Sequence, residues 1–167
     1  SVAGARTLAG RLVAAYGEPL EQPQGGLTHL FPSPQALAGA DLQGCGLTNG
    51  RVNALQALAH AVAGEGLVLD RTVDREQTVA RLLKLPGVGP WTASYIAMRA
   101  LGDPDAFPGA DLGLRRALEQ QGVAADLRSI ERRAQAWRPW RAYATHHLWA
   151  SLATEPRSRK DAALQPA

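Results

Sequence analysis

Apolar positions recur at three- and four-residue intervals along most of this chain, the spacing of amphipathic helices, and almost nowhere alternate as a half-buried strand would. Val2, Ala5, Ala9, Leu12, Val13 and Tyr16 form one such stripe, predicting a helix over residues 2–16 that Gly17 and Pro19 stop. Residues 17–34, with Pro19, Pro23, Gly25, Gly26, Pro32 and Pro34, are punctuated densely enough to predict a long surface connection without regular structure. A short helix is expected over 34–40 and a turn-rich passage over 41–47. A third helix over 48–63 presents Val52, Leu55, Ala59 and Val62 on one face, and Gly64 and Gly66 end it.

Asp74 with Gln77 three residues later is an N-cap signature for a helix through Val79, Leu82 and Leu83, which the run Leu85-Pro86-Gly87 terminates. Pro90 suits the first position of the next helix, over 90–101, because its missing N–H costs nothing there. Helices over 111–120, 126–137 and 139–153 complete the set. Residues 154–167, rich in Arg, Lys, Pro and Ala, read as a flexible tail. The stretch 67–69 is the one remaining candidate strand. The predicted fold class is all-α, one helical domain over 1–153, with no internal repeat.

Composition narrows the chemistry. With 167 residues, 46% hydrophobic and 20% charged, the chain has enough material for one core. A single cysteine, Cys45, excludes an intrachain disulfide framework and a cysteine-cluster zinc site, and the four histidines lack ligand spacing. No apolar stretch reaches the roughly 18 residues of a membrane span, so no membrane partner is expected and the default compartment is cytoplasmic. The net charge is only +3, but the 18 basic residues comprise sixteen Arg and two Lys, and seven of the Arg lie between Arg115 and Arg141. Such a segment suits phosphate contacts, as it suits an ordinary solvated basic face.

The most informative run is Leu83-Lys84-Leu85-Pro86-Gly87-Val88-Gly89-Pro90-Trp91-Thr92-Ala93. Two glycines flanking one small apolar residue between helices let the backbone turn tightly and approach another surface closely. The amides of the following first turn, with the positive end of the helix, then favour an anion such as a DNA phosphate. A dinucleotide fingerprint is excluded, because no strand precedes Gly87 and Thr92 stands where the third glycine belongs. A plain helix cap is the competing reading. Asp111, after Pro108-Gly109-Ala110, likewise has the sequence of an ordinary N-cap.

These motifs occur in a fixed order: the hairpin, then Phe107-Pro108-Gly109-Ala110-Asp111, then a closing run from Trp137 to Trp149 containing Arg138-Pro139-Trp140-Arg141. In that order they resemble the helix-hairpin-helix DNA glycosylase superfamily, and more closely its AlkA-type 3-methyladenine DNA glycosylase II members, over residues 1 to about 152. The resemblance implies a monofunctional enzyme of base excision repair that hydrolyses the N-glycosidic bond of alkylated purines in double-stranded DNA, acting as a monomer at the bacterial nucleoid. It implies Asp111 as the catalytic carboxylate, Trp91, Tyr95 and Trp149 as base-binding aromatics, and Gly87, Val88, Gly89 and Thr92 as contacts to the DNA backbone; Arg115, one turn beyond Asp111, is placed to reach a phosphate or to pair with Glu119. It also implies that the carbonyls of Leu83, Leu85 and Val88 hold a monovalent cation; no other cofactor is expected. By comparison with those enzymes the chain looks like a C-terminal portion, lacking the N-terminal β-rich subdomain and the wedge that fills the gap left by an extruded base. Ala110 stands where some relatives carry a second acid.

The chemistry of the residues agrees with that implication. Breaking a nucleoside bond builds positive charge on the sugar, which a carboxylate stabilises. Alkylation at N3 or N7 makes a purine cationic and attractive to an electron-rich aromatic face. Trp91 and Tyr95, four residues apart, share one helical face. Strand-cutting relatives carry a lysine nucleophile where this chain has Trp91, and an indole cannot form a Schiff base; Lys84 is read as a phosphate contact or a solvated side chain. Trp140 and Trp149 are nine residues apart, about 900° of helical rotation, so only one can face the site, and Trp140 is assigned with Trp137 to the core. Arg132, Arg133, Arg138 and Arg141 are expected to be general electrostatic surface, and His146 and His147 structural. Two other functions stay open: a non-catalytic helix-hairpin-helix DNA-binding module, and a glycosylase for another damaged base.

Overall fold

The computed structural model describes residues 2–124 and 126–154; of the tail expected at 154–167, Thr154 ends the last helix and the rest lies outside the described residues. The chain divides after Gly89 into two units. In the first, α1 (Val2–Tyr16) is followed by a hairpin of strands β1 (Pro19–Gln24) and β2 (Leu27–His29), then α2 (Pro34–Ala38), a 3-10 turn (Leu42–Cys45), α3 (Asn49–Ala63) and α4 (Arg75–Leu82). The second unit holds α5 (Pro90–Arg99), α6 (Leu112–Gln120), α7 (Leu127–Ala134), a 3-10 turn (Gln135–Trp137) and α8 (Arg141–Thr154).

Helix starts follow the caps that the sequence carries. The side chains of Ser33, Asp74, Asp111 and Asp126 each accept from the backbone N–H three residues on, satisfying donors that a helix start otherwise leaves open. The 126–137 helix is shorter than expected, since its last turn tightens to 3-10 geometry at Gln135.

The β-hairpin corrects the expectation of an irregular connection over 17–34. Gly25 and Gly26 make a two-residue turn, with Gly25 at φ +58°, and Gln24 pairs with Leu27 across it. Only Leu20 and His29 of the two strands are even half-buried, so no hydrophobic alternation betrays the ribbon. Residues 67–69 are not a strand; Leu67 instead fills the core with 2% exposure.

Each unit has its own apolar cluster. In the first, Leu12, Leu37, Ala40, Leu42, Cys45, Val52 and Ala59 pack with half-buried Tyr16 and Leu55. The Tyr16 hydroxyl donates to the Asp41 carbonyl, and burial together with Cys45 and Asp41 raises the phenol above its ordinary pKa. In the second, Leu114, Ala117 and Leu118 of α6 meet Ile130 of α7 and Leu148 of α8, with Phe107 and Trp137 at the margin. That second cluster fixes the start of α6 and the middle of α8, which carry two of the candidate site residues.

Candidate active site

Asp111 is both cap and site. Its backbone is extended (φ −67°, ψ 130°) and its Oδ1 accepts the Leu114 N–H at 2.8 Å, closing the start of α6. The same oxygen accepts Nε1–H of Trp149 from α8 at 2.9 Å, and Oδ2 accepts Nε1–H of Trp91 from α5 at 3.1 Å. The carboxylate is thus gripped by three neutral N–H donors, and among the described residues no Lys or Arg is ion-paired with it.

Around this carboxylate the aromatic residues lie together. The rings of Trp91 and Tyr95 stack 5.5 Å apart at 20°, and Tyr95 approaches Trp149 at 6.1 Å and 43°. His146 sets its edge against Trp149 at 5.4 Å and 89°. Trp91 and Tyr95 remain 41% and 37% exposed. Because their facing sides are spent on each other, the surface they offer a flat ligand is an outer face, not a slot between two rings.

Gly113 allows Asp111 and Trp149 to meet: a Cβ there would sit 3.1 Å from Asp111 Oδ1 and 3.4 Å from Trp149 Cδ1. A second device, not apparent from sequence, secures the loop before Asp111. Asp105 accepts from Arg141 through both oxygens at 2.7 Å and from Arg138 at 2.6 Å, and the Ala142 N–H donates to the Pro104 carbonyl at 2.9 Å. These bonds tie the loop to the start of α8, and Trp149 follows about two turns further along that helix. The hydrogen bonds from Arg141, with its charge and that of Arg138, hold the Asp105 carboxyl below the usual carboxylate range against an opposing desolvation cost. Arg138 and Arg141 are therefore bound in ion pairs, correcting their assignment to general basic surface. Their partner lies 33 and 36 residues away, beyond any local spacing rule.

Trp140 also departs from expectation. It is 57% exposed, edge-on to Tyr143, whereas Trp137 is half-buried against Phe107. Helical rotation relates Trp140 to Trp149 only where one helix runs through both, but α8 starts at Arg141, and Trp140 precedes it.

The hairpin residues differ among themselves. Gly87 has φ +75°, and a Cβ there would lie 2.8 Å from Ala54 Cβ in α3, so the fold itself requires glycine. Gly89 has no positive φ and nothing within 4 Å of a Cβ. Val88 is buried and its N–H donates to the Leu85 carbonyl at 3.2 Å, which removes that amide from the donors a phosphate could use. The Leu85 carbonyl keeps a second lone pair, and Leu83 stands at the C-terminal end of α4, where carbonyls lack helical partners; carbonyls of this kind fit a monovalent cation. Thr92 is half-buried in the first turn of α5. Arg115 is half-buried with Nε enclosed and unpartnered among the described residues. Among those residues no group of three His, Cys, Asp or Glu could hold a metal, and no helix is long and apolar enough to cross a membrane.

Comparison with known proteins gives the class. No family model matches the chain. Its fold is similar to that of the 3-methyladenine DNA-glycosylase from Archaeoglobus fulgidus, with a TM-score of 0.76 and 26% identity over 90% of this chain and 52% of that one. With this fold, the glycine turn and a capping aspartate held by tryptophans, the chain falls within the helix-hairpin-helix DNA glycosylases. Within that superfamily its sequence goes with the AlkA-type members. It is 50% identical over 152 residues to the probable bifunctional transcriptional activator/DNA repair enzyme AlkA of Mycobacterium tuberculosis, covering 91% of this chain and 31% of that protein. It is 36% identical over 160 residues to DNA-3-methyladenine glycosylase 2 of Escherichia coli, covering 93% of this chain and 54% of that protein. The chain thus spans from just under a third to just over half the length of these curated relatives.

Proposed function

We propose that this chain carries the catalytic module of a DNA glycosylase that releases alkylated purines such as 3-methyladenine from double-stranded DNA. The observation that carries the reading is the Asp111 carboxylate, oriented by two indoles and a backbone amide beside a cluster of three aromatic rings. The names of the relatives support the lesion class.

As the C1′–N bond stretches, positive charge develops on the deoxyribose, and the nearby carboxylate stabilises it without having to form a covalent bond. Its donors are neutral, so they orient the negative charge without cancelling it. The damaged base, extruded from the duplex, would lie against the exposed outer face of the Trp91–Tyr95 stack or against Trp149. A base made cationic by alkylation is drawn to that face more strongly than a neutral one, and its glycosidic bond is already weakened. The chemistry ends at base release and an abasic site, because Trp91 has no amine to attack C1′.

The glycine turn supplies the grip on the strand. Gly89 has no conformational or packing need to be glycine, which is what a surface kept bare for a phosphate would show, and Trp91 and Thr92 lie in the helix turn whose N–H groups lack internal acceptors. Arg115 adds positive charge on α6. A monovalent cation, when bound by the carbonyls of Leu83, Leu85 and Val88, would add positive charge at the turn. Such a protein works as a monomer on chromosomal DNA in the cytoplasm.

The test is base release from N-methylated duplex DNA, with Asp111→Asn as control. Release by the parent chain and not by the variant, with both binding the duplex, is the expected result. Salt-sensitive binding with no release by the parent would instead favour a non-catalytic DNA-binding module.

A further inference from the structure

The two oxygens of Asp111 are not equivalent. A carboxylate oxygen has two in-plane lone pairs. On Oδ1 both are engaged, one by the Leu114 N–H at 2.8 Å and one by Trp149 Nε1–H at 2.9 Å. Among the described residues Oδ2 accepts only Trp91 Nε1–H, at 3.1 Å. Among the described residues one lone pair of the carboxylate is therefore left unengaged, and it belongs to Oδ2. From this geometry, and resting on the reading of Asp111 as the catalytic carboxylate, we infer that Trp149 and Trp91 are positioning residues that present Oδ2 to the sugar of the extruded nucleotide.

Four features support the assignment. The two indoles bond different oxygens, so together with the Leu114 amide they fix both the place of the carboxylate and its rotation about the Cβ–Cγ bond. All three donors are neutral, so the full negative charge remains for the cationic sugar. Gly113 leaves Oδ1 its space, since a Cβ there would crowd that oxygen at 3.1 Å while meeting the Trp149 ring at ordinary contact distance. Finally, Trp149 is itself braced, by Tyr95 at 6.1 Å and against His146 at 5.4 Å, and it shares α8 with Arg141, whose ion pair with Asp105 helps hold the Asp111 loop. An aromatic wall needs only the ring face. A positioning role needs the N–H, and the two roles separate when the N–H is removed and the ring retained.

The experiment replaces Trp149 by β-(3-benzothienyl)alanine, in which sulfur stands where the N–H was, and separately makes Trp149→Phe. Single-turnover release of 3-methyladenine is measured at saturating protein, beside affinity for the same duplex. The isostere is expected to lower the release rate about tenfold, the loss of one donor on a charge-stabilising group, with affinity unchanged. The isostere placed in the Asp111→Asn background should be no slower than Asp111→Asn alone. A readout independent of turnover is the indole N–H spectrum of ¹⁵N-tryptophan-labelled protein. Of its four signals, those of Trp91 and Trp149 should move on Asp111→Asn while those of Trp137 and Trp140 stay.

Release at the parent rate by the isostere overturns the inference while leaving the glycosylase reading intact. Indole signals indifferent to Asp111→Asn overturn it on geometric grounds. A parent chain that binds methylated DNA and releases nothing overturns the glycosylase reading, and the role given to the indoles falls with it.

Discussion

The two hairpin glycines should respond in opposite ways to the same methyl group. At Gly87 an alanine must hold φ near +75°, which costs an L-residue roughly 1–2 kcal/mol. Its Cβ would also lie 2.8 Å from Ala54 Cβ, a short, stiff side chain on α3 that can yield only if the helix moves; overpacking of this kind costs about 1–3 kcal/mol. Gly87→Ala should therefore destabilise the protein by about 3 kcal/mol, a drop of about 6–12 °C in Tm for cooperative unfolding of a chain of this length. At Gly89 the added methyl meets no atom within 4 Å and no unfavourable φ, so Gly89→Ala should leave Tm within a degree or two or raise it slightly. DNA affinity should fall about tenfold for Gly89→Ala, because the methyl occupies the surface where a phosphate would approach the turn. Thermal unfolding followed by circular dichroism, with fluorescence anisotropy on a labelled duplex at fixed salt, reads both effects. Gly89→Ala binding DNA as tightly as the parent would refute the close-approach argument, and a normal Tm for Gly87→Ala would refute the packing argument.

The Asp105 pairs give a pH-dependent prediction. The Asp105 carboxyl titrates lower in the folded state than in the unfolded chain, so its contribution to stability is complete above the ordinary carboxylate pKa near 4 and is lost as pH falls through the lower folded value. With the Asp105 side chain one-fifth exposed, Asp105→Asn should cost about 2 kcal/mol at pH 7 by chemical denaturation, and the gap to the parent should close as the pH drops below about 4. Trp140→Ala should change Tm little, since the ring is exposed, whereas Trp137→Ala, which removes the ring beside Phe107, should cost about 2–3 kcal/mol. Borohydride added during reaction with methylated DNA should trap no covalent protein–DNA adduct, and a trapped adduct on gel electrophoresis would show that an amine other than residue 91 attacks the sugar.

The helices were legible because their signals are local. Asp74 with Gln77, Asp111 and Asp126 announce helix starts within a few residues, and the caps in the structure sit at these positions. The hairpin at 19–29 had a local signal too, the Gly25-Gly26 turn, but its exposed strands carry no apolar alternation to accompany it. What one sequence does not display is contact at a distance. Asp105 and its arginines, and Asp111 and Trp149, are brought together across 33 to 38 residues by the packing of the loop and α6 with α8. The aromatic set was anticipated as a surface for a base, and the structure gives two of its members a further use as N–H donors. Trp140 went astray through a helix boundary: beginning α8 at Arg141 moved that ring from an expected core position to solvent.

The central claim is that Asp111 acts on the glycosidic bond in addition to capping α6. Asparagine keeps an oxygen that can accept the Leu114 N–H, so Asp111→Asn should retain the fold while losing the charge. The direct measurement is therefore single-turnover release of 3-methyladenine from methylated duplex DNA by the parent chain and by Asp111→Asn, with Tm and duplex affinity measured on the same preparations. The account predicts a rate at least about a hundredfold lower in the variant, with Tm and affinity nearly unchanged. Equal rates in the two proteins, or a rate that falls only in step with lost folding or binding, would contradict it.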